Sequence, residues 1–456
     1  MARSYPTLYT PFVWGSFLIA VFGGFLLAAY LSVSMGSGWW SGTLLFELIQ
    51  LHGHLQLVGW MGMLLLGVSL YLLPRLLSAS LPVSKADKWI FVLLLLGILL
   101  RVVATFSEAF APLTKLSGST ILLLSVLFEL AAIILYLFIC FKLVQSVRAG
   151  NNDLKRLWPY FAAMFFGWAL FALLQLWLSL FHSGETSALI NPQWSGFVND
   201  VFVRLVLIPA LFGFGVKMLP VFLGLTPPLW PVRSVGLVLF VSTLTYLLGK
   251  ALVIIAPEAS IFFTVQMLGL LGISASVLAF IWFLDALLFR ILPERIALKV
   301  HRSDVKEQRG RFGDKGEYGR FELFIVVGFA WLAITALLEA TNAIRQLVGY
   351  SELISYATLR HGLLLGTLSH LVLGVSHRLL PSLLGKKLFS PQLTVVCFIL
   401  LFLASLLRVV PLMFSELGHT LPMTYFSWSG VVGLFAISIA GMNIVLPLHS
   451  PNLTKM

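Results

Sequence analysis

Apolar residues fill the chain in long runs, and polar residues are held to short gaps between them. Twelve runs are each long enough to cross a hydrocarbon core of about 30 Å as a helix. They fall at about 10–35, 47–75, 88–108, 119–146, 157–182, 198–225, 234–256, 260–290, 320–347, 355–382, 391–415 and 422–448. The pattern predicts an all-α polytopic membrane protein with twelve transmembrane helices in one membrane domain, 1–456.

Basic residues alternate between the gaps. The links after spans two, four, six, eight and ten hold Lys85 and Lys88, then Arg148, Lys155 and Arg156, then Arg233, then a cluster from Arg290 to Arg320, then Lys386 and Lys387. The links after spans one, five, seven and eleven hold none, and the link after span three holds only Lys115. By the positive-inside rule, the N and C termini are expected in the cytoplasm. The 290–320 segment is the one long polar link. It reads as a flexible cytoplasmic loop that anchors topology, with a regulatory role as the alternative.

Composition agrees with this pattern. The 456 residues are 59% hydrophobic and 11% charged, with a mean hydropathy of +0.98, more apolar surface than a soluble chain could hide. The net charge of +12 sits in short links, where it sets topology and gives no sign of nucleic-acid binding. Cys140 and Cys397 lie inside apolar runs and offer no disulfide framework, Cys-x-x-Cys pair or covalent haem motif. The opening MARSYPTLYTPF lacks a cleavable signal pattern, so the first run is expected to remain as a span.

Two stretches resemble one another. Residues 51–77, LHGHLQLVGWMGMLLLGVSLYLLPRLL, return as 360–384, RHGLLLGTLSHLVLGVSHRLLPSLL, at an offset of 307. Pro74 then falls on Pro381, Gly67-Val68-Ser69 on Gly374-Val375-Ser376, Gly59 on Gly366 and His54 on His361. The offset carries into the next span, where Arg101-Val102-Val103 falls on Arg408-Val409-Val410. An offset of 146 sets Pro74 on Pro220 and Gly67 on Gly213, so spans two, six and ten share an ending. The expected organisation is three pseudo-repeated four-helix units, 1–150, 151–317 and 318–456. Duplicated six-span halves, usual in transporters, would pair different helices.

At 1.5 Å per residue, His52, His54, His361, Arg101 and Arg408 share the outer third of the membrane, with Arg204, Lys250, Glu339 and Arg360 at similar depth. Ionisable groups inside a bilayer are costly and mark sites or pathways. Histidine is the commonest side-chain metal ligand, and haem iron takes one from each side. His54 and His361 are the natural axial pair, facing each other across a gap between spans two and ten near the outer face. Arg101 and Arg408, repeat equivalents, are expected beside the haem propionates, and Arg360 is a further cofactor-binding candidate. The competing reading is a hydrogen-bonded histidine pair that only holds helices together. His52 is two residues from His54, about 200° around a helix, so both cannot face one iron; the repeat sets His54 above His52. His370, near mid-membrane, is a candidate second ligand, a proton-relay group or a core histidine. His377, beside Arg378, reads as interfacial. His182 and His419, in or near outer links, are weaker metal candidates that could join His52 at a second metal. His301 and His449 read as solvated. Glu129, within span four, reads as a proton-route group or an acid paired to an arginine.

A helix reading His-x-His-Leu-Gln and ending Tyr-Leu-Leu-Pro resembles helices of the haem–copper oxidase catalytic subunit, which has twelve spans in three arcs. Spans six and seven here lack histidine, so that family's three-histidine copper site is not carried over and a terminal oxidase is disfavoured. The chain more closely resembles the NnrS family of haem- and copper-containing membrane proteins linked to nitric oxide metabolism and tolerance. The residues that carry this are His52-Gly-His54, Gly215 to Pro220 and Arg360-His361. In place of an acid after His54 stands Leu55-Gln56, and span ten continues into His370 and His377. The resemblance implies a bacterial inner-membrane protein holding haem b, with copper as a further cofactor, acting on nitric oxide as ligand or substrate. If it is an enzyme, it would be an oxidoreductase with a quinol or cytochrome as electron donor. The alternatives are a metal-free twelve-helix transporter and a bis-histidine haem electron-transfer or sensor protein.

Overall fold

The computed structural model describes residues 8–39, 42–79, 85–107, 116–147, 150–182, 188–225, 228–285, 287, 316–419 and 423–449. Lys115, Arg148, His301 and the 290–315 part of the basic link lie outside the described residues, as does the side chain of His449. Among the described residues the chain is helical, with no strand.

Among the described residues, twelve helices are long and apolar enough to cross a membrane, as the hydropathy pattern requires. They are α1 (Pro11–Gly36), α2 (Leu44–Leu76), α3 (Ala86–Thr105), α4 (Gly118–Ser146), α5 (Asn152–Phe181), α6 (Pro192–Leu223), α7 (Val232–Ile255), α8 (Ser260–Leu284), α9 (Phe321–Leu347), α10 (Tyr356–Leu384), α11 (Pro391–Glu416) and α12 (Thr424–Val445). In lipid a spanning helix must satisfy its backbone internally, which is why such runs fold this way. The starts are marked by side-chain caps: Ser117, Asn151, Asn191, Ser355 and Ser390 each accept a backbone N–H from the first turn they precede.

The helices divide in burial. The apolar windows of α2, α6 and α10 are 83%, 72% and 78% enclosed, against 28% for α7 and 33% for α11, so the histidine-bearing α2 and α10 are interior helices. These three also share a local departure from α-helical geometry. A π-helical segment runs through Leu55–Gly62 in α2, Phe202–Leu207 in α6 and Gly362–Ser369 in α10. Leu55 and Gly362, and likewise Gly62 and Ser369, are 307 residues apart. A further π segment, Ala20–Phe25, lies in α1. Such segments are frequent at functional sites.

The contacts form two compact units. Unit 1 is Met1–Leu31 with Trp39–Pro209, and unit 2 is Ser32–Gly38 with Ala210–Met456. Small residues bring helices close in each. In unit 1, a Cβ on Gly67 of α2 would meet Phe12 of α1 at 2.5 Å, and one on Gly97 of α3 would meet Glu129 of α4 at 2.6 Å. In unit 2, α9 and α10 pack antiparallel, and a Cβ on Gly366 would meet Trp331 and one on Gly374 would meet Phe324, each at 2.7 Å.

Candidate functional site

Each unit holds a polar cluster on its interior helix, and each cluster begins at the histidine that precedes the π segment. In unit 1, His54 is the residue before that segment. Its Nε2 donates to Glu129 Oε1 of α4 at 2.8 Å. Arg101 of α3 places Nε 3.9 Å from the same oxygen, and its Nη2 donates to Gln175 Oε1 of α5 at 3.3 Å. His54, Glu129, Arg101 and Gln175 are 5%, 2%, 8% and 7% exposed, so water does not screen them. The acid and the guanidinium balance in charge, and the neutral imidazole completes the set. Glu129 therefore takes the second of its two expected roles, an acid paired to an arginine, with His54 added. Its Oε2 has no hydrogen-bond partner.

His52 points elsewhere, as its position around the helix requires. Its Nδ1 donates to the Gly24 carbonyl of α1 at 2.9 Å.

In unit 2, His361 is likewise the residue before the π segment. Its Nδ1–H donates to the Ala357 carbonyl at 2.8 Å. That bond leaves the lone pair on Nε2, which accepts from Arg408 Nη2 of α11 at 3.0 Å. Arg408 also lies 4.1 Å over the Phe426 ring, and its Nε–H has no acceptor. Arg360 stacks over Tyr356 at 4.7 Å, and Lys250 lies 4.5 Å from the same ring. The first turn of α10 is held by Glu416 of α11, which accepts from the Ser355 N–H (2.9 Å), the Ser355 hydroxyl (2.6 Å) and the Thr358 hydroxyl (2.8 Å).

Further along α10, His370 and His377 are both completely buried. Arg378 beside His377 is also enclosed within the protein, at 8% exposed, with its guanidinium 4.2 Å over Tyr318 and 5.3 Å from Phe222. His182 directly follows α5 and His419 lies beyond α11, with its ring 6.0 Å from Phe414. Among the described residues, no three His, Cys, Asp or Glu side chains gather as a metal-holding group.

The expected site residues thus fall into sets within units: His54 with Arg101 through Glu129, and His361 with Arg408 directly. His52, His370, His182 and His419 stand outside both sets. Gln175 and Glu416 escaped the sequence reading. An amide in the middle of the apolar α5 run was the one available signal for Gln175. Glu416 at a helix end has none. No family model matches the chain, and no curated protein matches it significantly.

Proposed function

We propose that this is a haem-binding integral membrane protein of a bacterial cytoplasmic membrane, acting in nitric oxide metabolism or tolerance, with His361 as an iron ligand. The observation that carries the reading is the state of the His361 ring. An axial histidine needs its lone pair on the outward nitrogen and its other N–H held by a fixed acceptor. Ala357 supplies that acceptor and orients the ring. Arg408 beside Nε2, with an Nε–H lacking an acceptor, is the partner a propionate asks for. These residues fit the group. When bound, haem would supply an iron able to take a diatomic gas.

To bind iron, His361 Nε2 would exchange its Arg408 contact for the metal; His54 fits less directly, because its Nε2 carries the proton that Glu129 holds. To act as the second expected ligand it would have to release that carboxylate. Copper has no comparable donor set among the described residues and takes no part in the proposal. The matching positions of the π segments in α2 and α10 support a repeated-unit organisation. The lysine and arginine distribution supports cytoplasmic termini.

A second reading is favoured by the unit 1 cluster. A buried acid, guanidinium and imidazole are also what a metal-free, proton-coupled transporter places in its interior. One experiment separates the two. The purified protein is reconstituted with haem, and oxidised and reduced visible spectra are recorded with and without nitric oxide. A Soret band lost in His361→Ala and shifted by the gas is the expected result. Retention in His54→Ala assigns a single histidine ligand. A folded protein that takes up no haem overturns the proposal in favour of the transporter.

A further inference from the structure

We propose that His370 and His377 are two stations of a hydrated proton track running from the Leu384 end of α10 to the middle of the helix, separate from the proposed haem ligand His361. The two rings have the same arrangement. His370 Nδ1 donates to the Leu365 carbonyl at 3.2 Å, and His377 Nδ1 donates to the Leu373 carbonyl at 2.8 Å. Both Nε2 atoms are therefore lone-pair acceptors. Both rings are fully buried, and neither Nε2 has a hydrogen-bond partner in the protein. Leaving a buried acceptor unmet costs about 1–3 kcal/mol. That it happens twice on one helix, with one tautomer, calls for a common partner.

The spacing says what that partner is. Seven residues are close to two full turns, so both histidines lie on one face, with Cα atoms about 10 Å apart. One metal ion cannot bridge them, since a metal bonds imidazole nitrogen at ~2 Å. About three hydrogen-bonded waters span such a gap. Phe324 of α9 forms a wall beside both rings, with centroids 6.1 Å from His370 and 5.5 Å from His377.

The charged surroundings leave water and protons as the fitting occupants. The elements packed on this part of α10 are α9, α11, α12 and, through Phe222 against Arg378, α6, whose cation in this half is Lys217. Arg378, next to His377, has its guanidinium over Tyr318 and Phe222. The nearest titratable group of α11 is Cys397, whose Sγ donates to Ala436. Of the acids of α9, Glu322 lies at its start beside Arg320, and Glu339 lies beyond Thr335, which faces Gly362, toward the start of α10. Helix α12 carries no charge or histidine. No acid thus faces either ring as an ion-pair partner. The transfer is simple. A hydronium reaching His377 gives its proton to Nε2, forming an imidazolium and leaving water. The Nε2–H then returns the proton to that water, from which it passes along the chain of waters to the next ring. His370 repeats the exchange. Only N–H and O–H bonds change, and Nδ1–H stays on its carbonyl throughout.

The test is deuterium exchange at imidazole C2, read by mass spectrometry on the full chain in detergent. It needs no haem, so it fails or succeeds independently of the haem proposal. Both buried histidines are expected to exchange within about tenfold of His182, at the end of α5. Protection of both, as in a dry core, overturns the proposal. In His377→Phe, exchange at His370 is expected to fall by about tenfold or more, because the entry is closed. His377→Gln, which keeps a group able to hold water, is expected to retain it. The reciprocal His370→Phe should leave His377 unchanged. Unaltered exchange at His370 in folded His377→Phe overturns the track, and if that variant does not fold, wild type and His377→Gln decide.

Discussion

His54 and Glu129, 75 residues apart in sequence, meet at 2.8 Å with both side chains buried. Arg101 lies within ion-pair distance of the same carboxylate oxygen. The cluster therefore ties α2, α3 and α4 around one oxygen atom.

Glu129→Ala should be the most damaging single change in this set. It strands the Arg101 guanidinium in an apolar interior, a loss of about 3–5 kcal/mol when one partner of a buried pair is removed. Replacing Glu129, Arg101 and His54 together by apolar residues should cost less than Glu129→Ala alone. Thermal or denaturant unfolding in detergent measures both, and equal losses would mean that the charges are not coupled.

Gly269→Ala should loosen the α7–α8 pair. A Cβ there would collide with the backbone of Tyr246, which has no flexible end to move aside. Overpacking of this kind costs about 1–3 kcal/mol. Gly385→Ala meets no neighbour but needs a left-handed backbone at φ 62°. It should lower the unfolding midpoint by less, through strain alone.

Glu416→Ala should fray the start of α10 without touching its middle. It removes three acceptor contacts to Ser355 and Thr358. The group is exposed, so a cost of about 1 kcal/mol is expected. Amide exchange should speed up over Tyr356–His361 and stay unchanged over His370–Leu384. Uniform behaviour along the helix would refute this role for the carboxylate.

Glu352 lies in the link before α10, where burial and the nearby charge of Glu416 raise its pKa above the ordinary carboxylate value. The folded state then holds this proton more tightly than the unfolded state. Stability from this group is present at low pH and is lost as pH rises from the ordinary carboxylate value through the raised one. Glu352→Gln should flatten that slope in a plot of unfolding midpoint against pH.

Much of the architecture could be read from the chain. All twelve spans were visible, because a 20-residue apolar run has few alternatives to a membrane helix. For α11 the expected 391–415 compares with Pro391–Glu416. The divergence of His52 and His54 followed from helical geometry alone, and the two rings do reach different helices. Partners across helices were harder. Nothing in the sequence of α4 says which neighbour Glu129 will meet, since that depends on helix rotation. Nor does the chain say that Tyr318 will cover the Arg378 guanidinium beside His377. The π segments left no mark in composition, because they differ from α-helix only in which carbonyl each amide selects.

Those segments give α10 a joint. His361 precedes Gly362–Ser369 and His370 follows it. A wide turn of this kind accommodates one surplus residue relative to a regular helix. Deleting a single residue within it would restore the regular winding and keep everything downstream near its present angle to His361, whereas a deletion in the regular turns would swing it by about 100°. The angular setting between the Arg408-paired imidazole and the two deeper rings is thus buffered by one residue of slack. Loss of that one residue is the edit that a descendant of this chain could absorb without realigning the two.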